Sequence, residues 1–110
     1  MILSREQSRE LGKIFDIQIY YFEGCNVTIL KGLLEIWDPL TNFTQLHLLE
    51  DKFIKKYNLI QKLTSYFPSS NKISVLYKSS EESFSITGEG ETEQEAILEA
   101  IVKQSHLTTL

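Results

Sequence analysis

Hydrophobic positions recur at strand spacing, switch to helical spacing, and then repeat the same switch once more before the chain ends. Ser4 stands three residues before Gln7, the spacing of a capping box, so a short helix starts there and Gly12 is the expected stop. Ile17, Ile19 and Tyr21 alternate with Gln18, Tyr20 and Phe22, which predicts a strand. Glu23-Gly24-Cys25-Asn26 reads as a hairpin connection, because Gly and Asn tolerate positive φ. Val27-Thr28-Ile29-Leu30 resumes the strand, and Gly32 predicts a bulge or bend before Leu33 to Trp37. These two strands are apolar on both sides, so their second face needs cover from the first helix or from another subunit.

After Trp37-Asp38-Pro39 the period lengthens from two to about 3.6. Leu46, Leu49, Phe53, Tyr57, Ile60, Leu63 and Phe67 fall on this spacing. Thr41 or Asn42 is the expected N-cap, with Gln45 three residues after Asn42. The spacing predicts a long helix to about Tyr66, with Asn58 as a kink or break, stopped by Pro68 and the Ser69-Ser70-Asn71 turn. Ile73 to Lys78 and Phe84 to Thr87 predict two further strands, and polar Ser83, Ser85 and Thr87 give the second of them one open face. Gly88 and Gly90 are expected to free a turn, and Thr92 with Glu95 forms a second capping box. Ile97, Leu98, Ile101 and Val102 make the stripe of a final helix, and Ala96 and Ala100 would let it approach the sheet closely. Ser105 to Leu110 reads as a fraying tail. The expected fold class is therefore α+β, in the order α-β-β-α-β-β-α: a four-stranded antiparallel sheet with helices packed on it, built as a single small domain over residues 1–110.

Composition narrows the setting more than the chemistry. With 110 residues, 42% hydrophobic and 24% charged, the chain can bury a real core. No apolar run reaches the length of a membrane span. The early charges and the lone Cys25 point to a reducing cytoplasm. Asn26-Val27-Thr28 and Asn42-Phe43-Thr44 then match the glycosylation pattern by chance. The net charge of −4 hides a division: six lysines face two carboxylates over residues 41–78, and one lysine faces seven carboxylates over residues 79–110. Two solvated faces of opposite sign are the simplest consequence, and steering of a charged partner is the other.

Few residues carry candidate chemistry. Cys25, His47 and His106 alone could build a Cys–His nucleophile, and no orienting group or oxyanion signature accompanies them, so no enzymatic activity is expected. There are too few His and Cys for zinc, and no spaced carboxylate set for calcium, so neither a metal nor a cofactor is expected. Gly88-Glu89-Gly90-Glu91-Thr92 lacks both nucleotide fingerprints, and its carboxylates repel phosphate. Two candidate binding sites remain. In the first, Trp37 is an exposed stacking platform with Asp38 and Asn42 as polar contacts, set against a reading in which Trp37 packs on the helix and Asn42 only caps it. In the second, Lys52, Lys55 and Lys56, continuing to Lys62, form a basic helix flank beside Phe53 and Tyr57 that would suit a nucleic-acid-binding regulator.

Trp37-Asp38-Pro39-Leu40-Thr41-Asn42-Phe43, followed by Gly90-Glu91-Thr92-Glu93-Gln94-Glu95-Ala96, resembles the phage ABA sandwich domain. Members of that family look like a Trp-(Asn/Asp)-Pro-x-Thr-(Asp/Asn)-aromatic segment opening a helix, then strands, then a Thr-x-x-Glu-Ala helix. The resemblance covers about residues 33–104, and the stretch up to Phe67 is longer than the family's usual helix. It implies a three-layer α/β/α sandwich and a small phage or prophage protein of a bacterial cytoplasm. It carries over no catalytic residues. The function expected is binding of a host protein or small ligand, with inhibition of host defence as a role. The doubly apolar hairpin adds the expectation of a homodimer.

Overall fold

The computed structural model describes residues 3–81 and 84–105. Helix α1 (Arg5–Ile14) starts with the expected reciprocal capping box between Ser4 and Gln7. It does not stop at Gly12, which lies buried inside it; Phe15 closes the helix instead. Strands β1 (Tyr20–Phe22), β2 (Cys25–Leu30) and β3 (Leu33–Ile36) then form an antiparallel meander. Its turns are Glu23-Gly24 and Lys31-Gly32, and all four residues hold positive φ, which matches the twist of a two-residue hairpin. Gly32 is therefore the tip of a second hairpin, not a bulge, and Cys25 and Asn26 belong to the strand.

Helix α2 (Phe43–Lys56) takes Asn42 as its N-cap, with the Gln45 amide donating to Asn42 Oδ1 at 3.1 Å. The helix ends at Tyr57, and Asn58 adopts a left-handed φ of 52°. Residues 59–67, expected to continue the helix, are strand β4 (Leu59–Phe67), paired along its length with β5 (Lys72–Ser79). Ile60, Leu63 and Phe67 recur at helical spacing, and only Leu63 and Phe67 share a face of the strand. The hairpin turn over residues 68–71, with Asn71 at φ 54°, and the pairing it permits decide for the strand.

Strand β6 (Ser85–Gly90) completes the second sheet, in the order β4-β5-β6, and helix α3 (Glu93–Ser105) follows. Thr92 Oγ1 accepts the Glu95 amide at 3.2 Å, as expected of its cap position. Gly88 and Gly90 are not turn residues but lie in β6 under α3, where a Cβ on Gly88 would sit 2.1 Å from the Ala96 carbonyl oxygen. Ala96 and Ala100 are fully buried at this contact, so the close approach expected of them is present.

The α+β class holds, but the sheet is not four-stranded: there are two separate three-stranded antiparallel sheets. Helix α1 packs on β2 and α3, while α2 and α3 pack on the second sheet. The helices thus lie between the sheets rather than on both sides of one, unlike the layering that the family resemblance implies. One core joins them, with Phe53 edge-on to Phe15 at 6.1 Å and to Tyr77 at 5.3 Å. The outer face of the second sheet carries Gln61, Ser65, Ser74, Thr87 and Ser85 around Leu63, Phe67 and Leu76, the mainly polar face of a half-buried sheet. Ser83 and His106 lie outside the described residues. Among the described residues, no helix is long and apolar enough to cross a membrane.

Candidate functional site

Register determines which residues share a face of the meander, because directly opposed residues point the same way and the period is two. Tyr20 pairs with Val27 and Val27 with Ile36; Phe22 pairs with Cys25; Ile29 pairs with Leu34. These seven residues form one face, and none carries a charge. The other face holds Tyr21, Asn26, Thr28, Leu30, Leu33 and Glu35.

At the centre of the meander the protein buries the more polar of the two faces, while Tyr21 and Leu33 at the ends of that face stay 53% and 68% exposed. Asn26 and Thr28 are buried; the Asn26 side-chain amide donates to the Arg5 carbonyl at 3.1 Å and the Thr28 hydroxyl to the Gln18 carbonyl at 2.9 Å. Tyr20, Phe22, Ile29, Leu34 and Ile36 point to solvent with 46 to 63% of their surface open. Together with Tyr21 and Val27, most of them line a shallow apolar depression of about 390 Å³. The meander is thus inverted relative to an ordinary half-buried sheet, where the apolar side faces the core.

The first sequence-derived site is brought together, but as a joint. Trp37 is 4% exposed, and its indole N–H donates to the Ser8 carbonyl of α1 at 3.2 Å, so it is not a stacking platform. Asp38 accepts from the Thr41 hydroxyl at 2.7 Å through Oδ2, and its carbonyl accepts the Asn42 amide at 3.0 Å. Gln45, which sequence reasoning used only as a capping partner, holds the joint closed. Fully buried, it accepts the Asp38 amide at 2.6 Å and donates to the Ile36 carbonyl at 2.6 Å and to Glu35 at 2.9 Å.

The second site is brought together only in part. Lys52, Lys55 and Lys56 line a surface depression with Ile14, Phe15 and Asp16, and the Lys56 ammonium sits 5.7 Å from the centre of the Phe15 ring. Lys62 is not on this flank. It lies on β4 and pairs with Glu50 at 2.8 Å and Glu93 at 3.5 Å, where the basic and acidic parts of the chain meet.

A buried polar cluster around Glu50 carries no signal in the sequence, since a glutamate on a helix gives no sign of burial. Glu50 accepts from the Tyr77 hydroxyl at 2.5 Å as well as from Lys62. Burial and the neighbouring carboxylate push the Tyr77 phenol far above its ordinary range, so it stays protonated and donates. Glu50→Ala leaves this buried hydroxyl without its acceptor and should cost about 2–3 kcal/mol in urea unfolding. Adding Tyr77→Phe removes the orphaned group and should recover about 1 kcal/mol of that loss.

The remaining reactive residues do not assemble. Cys25 lies exposed on the meander's outer face, and His47 lies on α2 against Phe43, 3.9 Å from Glu50. Among the described residues no group of three or more His, Cys, Asp or Glu could hold a metal ion. No protein-family model, curated protein or solved structure matches the chain.

Proposed function

We propose that the protein is a non-catalytic binding module of the small phage or prophage type that works by presenting the outer face of its meander to another protein. The observation that supports this is the inversion: Asn26 and Thr28 are buried while Tyr20, Phe22, Ile29, Leu34 and Ile36 are left in water. Such a sheet gains its apolar burial only when something covers it. The exposed side chains leave roughly 500 to 600 Å² of apolar area, the upper end of the largest patch on an ordinary monomer, which is often functional. A protein surface suits this shallow face better than a small ligand, which needs a concave pocket. The family resemblance makes a bacterial host protein the class of foreign partner and inhibition of host defence the role. The nucleic-acid alternative loses support, since Lys62 is committed to Glu50 and Glu93 and only three lysines remain on the flank.

Site-specific photocrosslinking in bacterial cells tests the reading. A photoreactive phenylalanine analogue at position 34 should give covalent protein adducts, whereas the same group at position 61, on the polar outer face of the second sheet, should give none. Equal yields from the two positions would remove the meander face as the binding surface.

A further inference from the structure

We infer that the meander's outer face is occupied by a second copy of this chain, stacked face to face with the two β2 strands antiparallel across a two-fold axis. The inference rests on the proposal that this face is a binding surface, and it names the occupant. Three observations support it.

The first is the chemistry of the face. Its seven residues are Tyr20, Phe22, Cys25, Val27, Ile29, Leu34 and Ile36, with no charge to select a foreign partner. Such a face places nothing in the way of a second copy of itself. The second is area. Two such faces remove roughly 1,100 Å² of apolar surface before any rim is counted, close to the lower bound for a specific interface. Two β faces packed in this way lie about 10 Å apart and nearly aligned.

The third observation sets the direction. The turn at one end of β2 carries Glu23, and the turn at the other end carries Lys31; both are exposed. Neither has an ion-pair partner among the described residues. They stand about 25 Å apart along the strand, too far to meet within one chain. A two-fold axis across the middle of β2 brings the Glu23 turn of each copy over the Lys31 turn of the other, which forms two equivalent ion pairs at the rim. The parallel stacking would place Glu23 over Glu23 and Lys31 over Lys31. The charges therefore favour the antiparallel arrangement and disfavour the alternative.

Sedimentation velocity on the full chain, with circular dichroism to verify folding, tests this. The wild type should be a reversible dimer. Leu34→Glu changes a side chain that is already 62% exposed, so the fold should survive while dimer affinity falls at least about 100-fold. Glu23→Lys and Lys31→Glu should each weaken the dimer about tenfold at low salt, because each variant sets like charges together at both rims. The two reversals combined should restore affinity to within about twofold of wild type, which only contact between chains can produce. If Leu34→Glu does not fold, Ile29→Lys on the same face serves in its place.

A wild type that stays monomeric up to about 100 µM overturns the second copy as occupant. The crosslinking at position 34 then separates the two ideas: adducts with foreign proteins keep the binding-face reading, and no adducts remove both. A dimer that survives Leu34→Glu places the interface elsewhere and overturns the inference. A double reversal no tighter than the single ones overturns the antiparallel two-fold.

Discussion

Trp37→Ala will destabilise the protein by about 3–5 kcal/mol, a large part of the total stability of a domain this size. The indole belongs to the one core that includes α1, α2 and α3, and truncation removes its contacts there and leaves a cavity. Trp37 also ties the end of the meander to α1 through its N–H bond to Ser8, while its backbone amide donates to the Asn26 carbonyl at 2.8 Å. Trp37→Phe keeps most of the volume and loses only the indole bond, so it should cost about 1–2 kcal/mol. Urea unfolding followed by circular dichroism measures both variants. A loss below about 1 kcal/mol for the alanine would show that the residue is not part of the core, and would return it to the list of binding-site candidates.

Gly88→Ala should be at least as damaging, at about 3 kcal/mol or more, although it adds a single methyl group. The new Cβ would fall 2.1 Å from the Ala96 carbonyl oxygen and 2.5 Å from the Ala100 backbone nitrogen. Both obstacles are helix backbone, so no rotamer change relieves the clash. Helix α3 has to lift off β6 as a unit, which loosens the contacts of Ile97 and Ile101 in the core and stretches the Lys103 bond to the Thr87 carbonyl. Thermal unfolding should show a much lower midpoint, and hydrogen exchange should show lost protection in β6 and α3 before the meander. A variant as stable as wild type would mean that α3 does not press on Gly88.

Interactions between near neighbours in the chain were legible in the sequence. The Ser4–Gln7 box, the Asn42 cap with Gln45, and the Thr92 cap with Glu95 each join residues three apart, so the type and spacing of the side chains suffice to place them. Strand β4 was not legible, because Ile60, Leu63 and Phe67 recur at helical spacing, and the edge strand is exposed along nearly its whole length, so no alternation marks a buried face. Gly88 was legible as a glycine with a purpose, and the purpose was mistaken. A glycine before a helix suggests a turn, and only the docked helix reveals that the missing Cβ makes room for Ala96 and Ala100.

The candidate site divides along the same line. That the first strands are apolar on both sides follows from the alternation of their residues, and this already suggested a face in need of cover. Which face the chain would cover for itself did not follow. The sequence by itself determined the helix N-caps and the excess of apolar side chains in the meander, since these depend on residues close together in the chain. The tertiary structure alone decided that Asn26 and Thr28 turn inward to Arg5 and Gln18, that Gln45 and Glu50 are buried, and that Tyr20, Phe22, Ile29, Leu34 and Ile36 remain outside. The physical reason is that an inward polar residue is tolerated only where a distant segment supplies its hydrogen-bond partner, and the pattern of nearby residues contains no record of that partner.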